Sequence, residues 1–288
     1  MKLRALTALV LIPPVVYLVV WSPLWLFQAV LLLVVLRTAY EYFELGEAAG
    51  LGGFRRLGYA GCVLLCLAQA APAVWPNVPP AAENGSILMA LAVFLVPAVL
   101  MAGLAWTEDL RRYLAASCST IFATFYVGLM LSCLVPLRFS PSIAEAAAGA
   151  ITPRYLLLFT MAVIWAGDIF AYLVGRSLGR HLLFPRTSPK KTLEGSLGGL
   201  AGSLLVAWAM ARWWWHTSRP GTVMLLAGVV ALAGQAGDLV ESALKRSADV
   251  KDSGSLLPGH GGLLDRIDSL IFGAPALWLC LVLMRAWH

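Results

Sequence analysis

Residues 242–268 read S-A-L-K-R-S-A-D-V-K-D-S-G-S-L-L-P-G-H-G-G-L-L-D-R-I-D, setting Lys245, Arg246, Asp249, Lys251, Asp252, Asp265, Arg266 and Asp268 between two long apolar runs. The chain as a whole is 60% hydrophobic and 12% charged over 288 residues, so such a concentration of charge needs a reason. Cations bind phosphate and carboxylates bind metal, while Gly254, Gly259, Gly261 and Gly262 let a backbone approach a ligand closely. These are the parts of a phosphoryl-transfer site. The flanking runs decide the fold. With a mean hydropathy of +0.81, the chain is too oily for a soluble domain and reads as an all-α, polytopic integral membrane protein forming a single membrane domain over 1–288.

Apolar runs long enough to cross roughly 30 Å of hydrocarbon number nine, centred on Leu6–Val20, Leu24–Tyr40, Leu57–Ala73, Ile87–Trp106, Ala115–Leu134, Tyr155–Gly175, Ser196–Trp214, Thr222–Leu244 and Leu270–Ala286. The first five fill 1–135; the spans carrying the chemistry, with their loop, fill 154–288. Pro13 and Pro14 are expected to kink or break the first span. With nine spans the loops alternate sides, and sixteen Lys/Arg then fall on one side against five on the other, which places the loop 245–268 on the cytoplasmic side. The net charge of +6 lies in those short loops, where membrane orientation explains it, and no nucleic-acid partner is expected. Met1-Lys2-Leu3-Arg4 resembles the start of a signal peptide, but no A-x-A-like cleavage site follows and a retained first span is expected. Cys62, Cys66, Cys118, Cys133 and Cys280 all lie in apolar runs and imply neither a disulfide framework nor a metal site.

On the eighth span Asp238, Glu241, Ser242 and Lys245 share one helix face. Asp238 would lie roughly 12 Å inside the cytoplasmic end at about 1.5 Å per residue. An ionised Asp there costs about 2.5–3.5 kcal/mol even on lenient insertion scales. A structural ion pair or a protonated carboxyl would answer that cost. So would a divalent metal shared with Asp265 and Asp268 at the head of the ninth span, because carboxylates converging without a cation repel. Oxygen ligands select Mg2+ over zinc. Asp265 and Asp268 are also favoured at a helix N-terminus without any metal. On the sixth span Asp168, Tyr172, Gly175 and Arg176 share a face, and a loop with Ser188, Lys190, Lys191, Thr192 and Glu194 follows. Lys190-Lys191-Thr192 lacks the upstream glycine and the strand of a Walker motif. Cytoplasmic bias accounts for Arg180 and Arg186 as well as phosphate binding does. His260 suits a phosphate donor, an orienting residue or a structural loop histidine.

The string S-x-L-K-R-x4-K-D-x-G-x2-L-P-x-H-G-G-L-x-D-R-I-D resembles the signature of the phosphatidate cytidylyltransferases, membrane enzymes that make CDP-diacylglycerol from CTP and phosphatidate. The stretches W-A-G-D-I-F-A-Y-L-V-G-R, S-P-K-K-T-L-E-G-S-L-G-G and Q-A-G-D-L-V-E-S resemble further blocks of that family, so the resemblance covers about the second half of the chain. It implies catalysis by Asp238, Asp265, Lys251 and Arg266, and Mg2+ held by Asp238 and Asp265 with Asp268 or Asp168. It also implies a monovalent cation such as K+ and phosphate contacts from Lys190, Lys191, Thr192, Lys245, Arg246, Lys251 and His260. Gly254, Gly259, Gly261 and Gly262 shape the loop. A homodimer in the bacterial cytoplasmic (inner) membrane follows from the same resemblance, with the site at the cytoplasmic membrane boundary and the lipid bilayer as surroundings. An ion-coupled secondary transporter is the competing class, but midplane carboxylates on broken helices and repeat symmetry are not found. A CDP-alcohol phosphotransferase would need D-G-x2-A-R-x8-G-x3-D-x3-D, which is not present.

The charge split generates a topological prediction. Single reporter cysteines at positions 190, 251 and 260 in a Cys-free background are expected to resist an impermeant thiol reagent in intact cells, and those at 216 and 288 to react. Labelling at 251 from outside would overturn the orientation.

Overall fold

A computed structural model describes residues 2–74, 86–140, 143, 153–217, 219–256 and 261–286. Among them, eight helical segments are long and apolar enough to cross a membrane. The helices are α1 (Lys2–Val20), α2 (Leu24–Ala48), α3 (Arg55–Val74), α4 (Ser86–Trp106), α5 (Leu110–Ala123), α6 (Met130–Ser132), α7 (Leu134–Phe139), α8 (Pro153–Leu178), α9 (Leu193–Ala209), α10 (Pro220–Ser247) and α11 (Leu264–Ala286). The first of the nine expected spans is α1, a helix of 19 residues. It runs on through Pro13 and Pro14, although each proline removes a backbone bond. The expected fifth span is one 30-residue segment, Leu110–Phe139, joined through a π-helical turn at Thr124–Leu129.

The chain divides into two compact units that do not follow chain order. One comprises 1–4, 23–135 and 244–266, the other 5–22, 136–243 and 267–288. The boundary therefore falls inside α10 and α11.

In the first unit α2, α3 and α5 meet around the fully buried ring of Phe43. Gly53 leaves it room, since a Cβ there would lie 2.7 Å from the ring. Tyr42, Phe122 and Tyr126 extend this aromatic cluster with centroids 5.1–6.4 Å apart, the spacing aromatic pairs prefer. A π-helical turn leaves carbonyls without their usual i+4 donors. Here the Cys62 thiol donates to the Ala123 carbonyl at 3.8 Å and that of Cys66 to Gly128 at 3.7 Å. Both cysteines are buried and free.

In the second unit α8 and α9 pack along a seam of small residues, Gly167, Ala171 and Gly175 facing Ser203, Gly199 and Gly195. A Cβ on Gly199 would lie 2.8 Å from the Gly167 carbonyl oxygen, and one on Gly195 would lie 2.9 Å from that of Ala171. The Ser203 hydroxyl donates to the Val163 carbonyl across the same seam at 2.8 Å. Small residues at four-residue spacing let helix backbones approach in lipid, where no hydrophobic drive separates helix from tail. Between these helices lies an antiparallel hairpin, β1 (Leu182–Phe184) and β2 (Ser188–Thr192), paired Leu182 to Thr192 and Phe184 to Ser188. The stretch 188–192 was expected as loop; the pairing overrides the low strand propensity of its proline and lysines. Thr192 caps α9, its side-chain oxygen accepting from the Gly195 N–H at 3.1 Å.

The seam sets a test of packing. Gly199→Leu is expected to lower stability by about 1–3 kcal/mol or more, as overpacking does. Gly228→Ala, where the nearest atom to the new Cβ is 3.9 Å away, is expected to hold or raise stability through helix propensity. Equal unfolding midpoints in detergent for the two variants would refute the seam.

Candidate active site

The chemistry of the second unit is assembled by glycine. A Cβ on Gly237 of α10 would lie 2.5 Å from the Asp268 carbonyl oxygen. Its absence lets the first turns of α11 lie against α10, which brings Asp238 and Glu241 beside Asp268. One oxygen from each of these three carboxylates lies within 4.8 Å of the others. Glu241 is fully buried, while Asp238 and Asp268 are partly so. Three carboxyl groups this close would repel one another if all were ionised, and their donor set is oxygen alone, which suits Mg2+. Lys191, from β2, places its ammonium 2.5 Å from Asp238 Oδ2.

Beside this cluster is a cavity of about 570 Å³, with Asp168, Lys190, Lys191, Gln235 and Asp238 in its wall and Ile164, Ala231 and Leu239 as its apolar part. A clasp sets the rotation of α10 against α9: the Gln235 amide nitrogen donates to the Ser196 carbonyl at 3.0 Å, and the Ser196 hydroxyl donates to the Gln235 side-chain oxygen. The hairpin is held at its base by Glu194. Its carboxylate accepts from the Arg180 and His181 N–H groups at 3.1 and 3.2 Å and contacts His181 Nδ1 at 2.6 Å. His181, which looks incidental in the sequence, is thus a partner of the hairpin's anchor.

Of the expected metal ligands, Asp238 and Asp268 come together, and Asp168 lines the adjoining cavity. Glu241, expected only as a neighbour of Asp238 on its helix face, joins them. Asp265 belongs to the first unit, where donors fill its oxygens. Lys245 Nζ lies at 2.6 Å from Oδ1. The Ser253 N–H, the Ser253 hydroxyl and the Gly262 N–H approach Oδ2 at 2.9, 3.0 and 2.8 Å. Thr192, expected on phosphate, is engaged as a helix cap. Lys190, Arg246, Lys251 and Arg266 are exposed, and the Arg246 guanidinium donates to the Val250 carbonyl at 3.0 Å. His260 and Gly259 lie outside the described residues.

The loop glycines have a visible task in the first unit. Gly261 has φ +79°, which favours glycine, and a Cβ there would lie 2.7 Å from Asp265 Oδ2. Side chains at Gly254 and Gly262 would meet the carboxylate of Glu41, at 3.0 and 2.5 Å. Glu41 itself escapes a motif-based reading. Its one signal is an Arg37–Glu41 pair, one helical turn apart.

The model of the cytidylyltransferase family matches residues 2–284. A phosphatidate cytidylyltransferase of Synechocystis sp. is 34% identical over 289 residues, covering 90% of this chain and 89% of that protein. Proteins of the same name from Staphylococcus haemolyticus and Staphylococcus aureus are 44% identical over 130 residues and 46% over 131. Those two matches take in 45% and 44% of this chain and 50% and 49% of the relatives. With a match running from the first helix into the last, the chain belongs to the cytidylyltransferase family.

Proposed function

We propose that this chain transfers the cytidylyl group of CTP to phosphatidate, giving CDP-diacylglycerol and pyrophosphate, at the cytoplasmic face of a bacterial inner membrane. The observation that carries the reading is the meeting of Asp238, Glu241 and Asp268 within 4.8 Å beside a cavity walled by lysines and apolar side chains. The phosphate of phosphatidate has a second pKa of about 6, so its oxygen is already anionic and needs no general base. That oxygen attacks the α-phosphorus of CTP in line, a new P–O bond forms, and the bond to the β-phosphate oxygen breaks to release pyrophosphate. No covalent enzyme intermediate is needed, and catalysis is positioning plus neutralisation of charge.

Asp238, Asp268 and Glu241 would hold Mg2+, which when bound supplies neutralisation of phosphate charge. Asp168, in the cavity wall, would assist in holding the metal, with a monovalent cation such as K+ nearby. Lys190 and Lys191 meet phosphate from the hairpin; Ile164, Ala231 and Leu239 keep water from the lipid side of the cavity. Lys245, Arg246, Lys251 and Arg266 are assigned to substrate phosphates, with His260 among the same loop residues. Asp265, for which the resemblance implies a metal, also anchors its loop, and the two roles separate by experiment. A homodimer completes the proposal.

Purified protein in detergent is expected to release pyrophosphate from CTP only with both phosphatidate and Mg2+ present, and a chelator is expected to stop it. Pyrophosphate release without phosphatidate would sink the assignment.

Asp238→Asn and Asp268→Asn are expected to lower turnover by at least about a hundredfold, the scale of losing an electrostatic group at a phosphoryl centre. Both should lose the rise in unfolding midpoint that Mg2+ confers. Because the Asp238–Lys191 pair is about a third exposed, metal-free Asp238→Asn should stay within about 1 kcal/mol of wild type. Asp265→Asn that keeps the Mg2+ shift but unfolds earlier without metal would be a loop anchor and no ligand. Wild-type turnover in Asp238→Asn would remove that residue from the site.

A further inference from the structure

Glu41 is a buried acid with no part in the reaction as described above. It sits on α2 with 1% of its side chain exposed, and Arg37 lies one turn back at 3.0 Å from its Oε1. Oε1 also accepts from the Leu263 N–H at 3.0 Å; Oε2 accepts from the Leu264 N–H at 2.8 Å and faces the Ser253 hydroxyl at 3.1 Å. A carboxylate offers about four acceptor positions; this one meets the Arg37 guanidinium, two backbone N–H groups and the Ser253 hydroxyl, whose single proton serves either Glu41 or Asp265. The head of a helix presents unsatisfied N–H groups and positive potential, a need usually met by a capping residue from the adjoining chain. For α11 it is met from 222 positions away. Helix N-termini are ready anion sites, but at the head of α11 an internal carboxylate already takes the N–H groups of Leu263 and Leu264.

We propose that Glu41 is a positioning residue for cytidylyl transfer. It clamps the first turn of α11 and Ser253, and so fixes the loop that presents Lys245, Lys251 and Arg266. The Ser253 hydroxyl lies between Glu41 and Asp265, 3.1 and 3.0 Å from their carboxylates, and Asp265 in turn holds the Lys245 ammonium at 2.6 Å. The glycines fit this role: Gly254 and Gly262 leave space for Glu41 itself, as the distances to an added Cβ show. The clamp requires a group that only accepts. Glutamine has the same shape, but its NH2 would face N–H and hydroxyl donors, so one of the three loop contacts must break. The proposal rests on the transfer reaction assigned above.

The test uses full-length wild type, Glu41→Gln and Ser253→Ala purified in detergent, with CTP, phosphatidate and Mg2+. Three quantities are read: kcat and KM for CTP per folded molecule, the unfolding midpoint, and amide hydrogen exchange of the peptide covering 261–266. For Glu41→Gln, kcat is expected to fall on the order of 100-fold, the scale of an ångström-sized misplacement, with KM for CTP within about threefold, the pattern of an interaction realised in the transition state. Exchange at Leu263 and Leu264 should rise while that of α3 and α9 stays unchanged. Ser253→Ala, which removes one hydroxyl, should show the same pattern at about tenfold; it carries the test alone if Glu41→Gln does not fold. Folded Glu41→Gln with wild-type kcat, or with unchanged exchange at 263–264, would overturn the proposal, as would wild-type kcat in Ser253→Ala when the glutamine variant is unfolded. A loss explained wholly by a smaller folded fraction would also overturn it, leaving a structural acid. Wild type without turnover would strike at the reaction assignment itself, whereas failure of Glu41 alone leaves wild-type turnover intact.

Discussion

A carboxylate inside an apolar bundle must be surrounded by donors or cations, because its charge is expensive away from water and a neighbour of the same sign makes it more so. Each unit of this protein meets that demand in its own way. In the first, Glu41 and Asp265 are met by backbone N–H groups, the Ser253 hydroxyl, Arg37 and Lys245. In the second, Asp238, Glu241 and Asp268 face one another, with Lys191 against Asp238. A carboxylate ringed by fixed donors is held in place. Carboxylates that face each other are the arrangement in which a bound cation would relieve repulsion.

The membrane architecture was legible because hydropathy over about twenty residues is a strong signal where every backbone polar group must be satisfied within the segment. The charged loop was legible because charge is rare elsewhere in the chain. Asp238 was expected with Asp265, assisted by Asp268 or Asp168; Asp268 meets it, whereas Asp265 belongs to the first unit. Other features were hidden for physical reasons. Glu41 is one of three acids, with Glu44 and Glu47, near the end of α2, and its partners Leu263 and Leu264 contribute only backbone N–H groups, which no side-chain pattern records. The hairpin at 182–192 is set by pairing to Leu182 and Phe184 and by the hold of Glu194 on the 180–181 backbone, against the local propensity of Pro189, Lys190 and Lys191. Glu241 lies on the same face as Asp238, but that it meets Asp268 depends on how closely α11 approaches Gly237, a matter of packing.

The glycines of the charged loop carry a related lesson. From sequence alone they read as room for a ligand. Gly254, Gly261 and Gly262 instead make room for the protein's own carboxylates, because a Cβ at any of them would press on Glu41 or Asp265. The loop is thus shaped from inside, and its exposed cations Arg246, Lys251 and Arg266 are left on the outer side. Flexibility is not the service these glycines provide; they give up side-chain volume so that two acids can reach backbone donors.

The same economy of volume explains how the cavity of the second unit exists at all. Helices in lipid gain no hydrophobic energy by meeting, so α8 and α9 are held by close backbone approach over Gly167, Ala171, Gly175, Gly195, Gly199 and Ser203. Gly167, Ala171, Gly175, Gly195 and Ser203 also line the cavity, together with Gly234 and Ala231 of α10. Larger side chains would fill the space and push the helices apart in one stroke. Tight packing and an open site are usually in conflict, since protein interiors fill to crystal-like density. Here a stripe without bulky side chains serves both: it lets the two backbones approach, and most of the same residues border the cavity of about 570 Å³. Asp238 and Lys191 stand at the polar wall of that space because the strand and helix that carry them are fixed to its sides by Thr192, Ser196 and Gln235. The placement of these two charged groups therefore rests on residues with little or no side chain of their own.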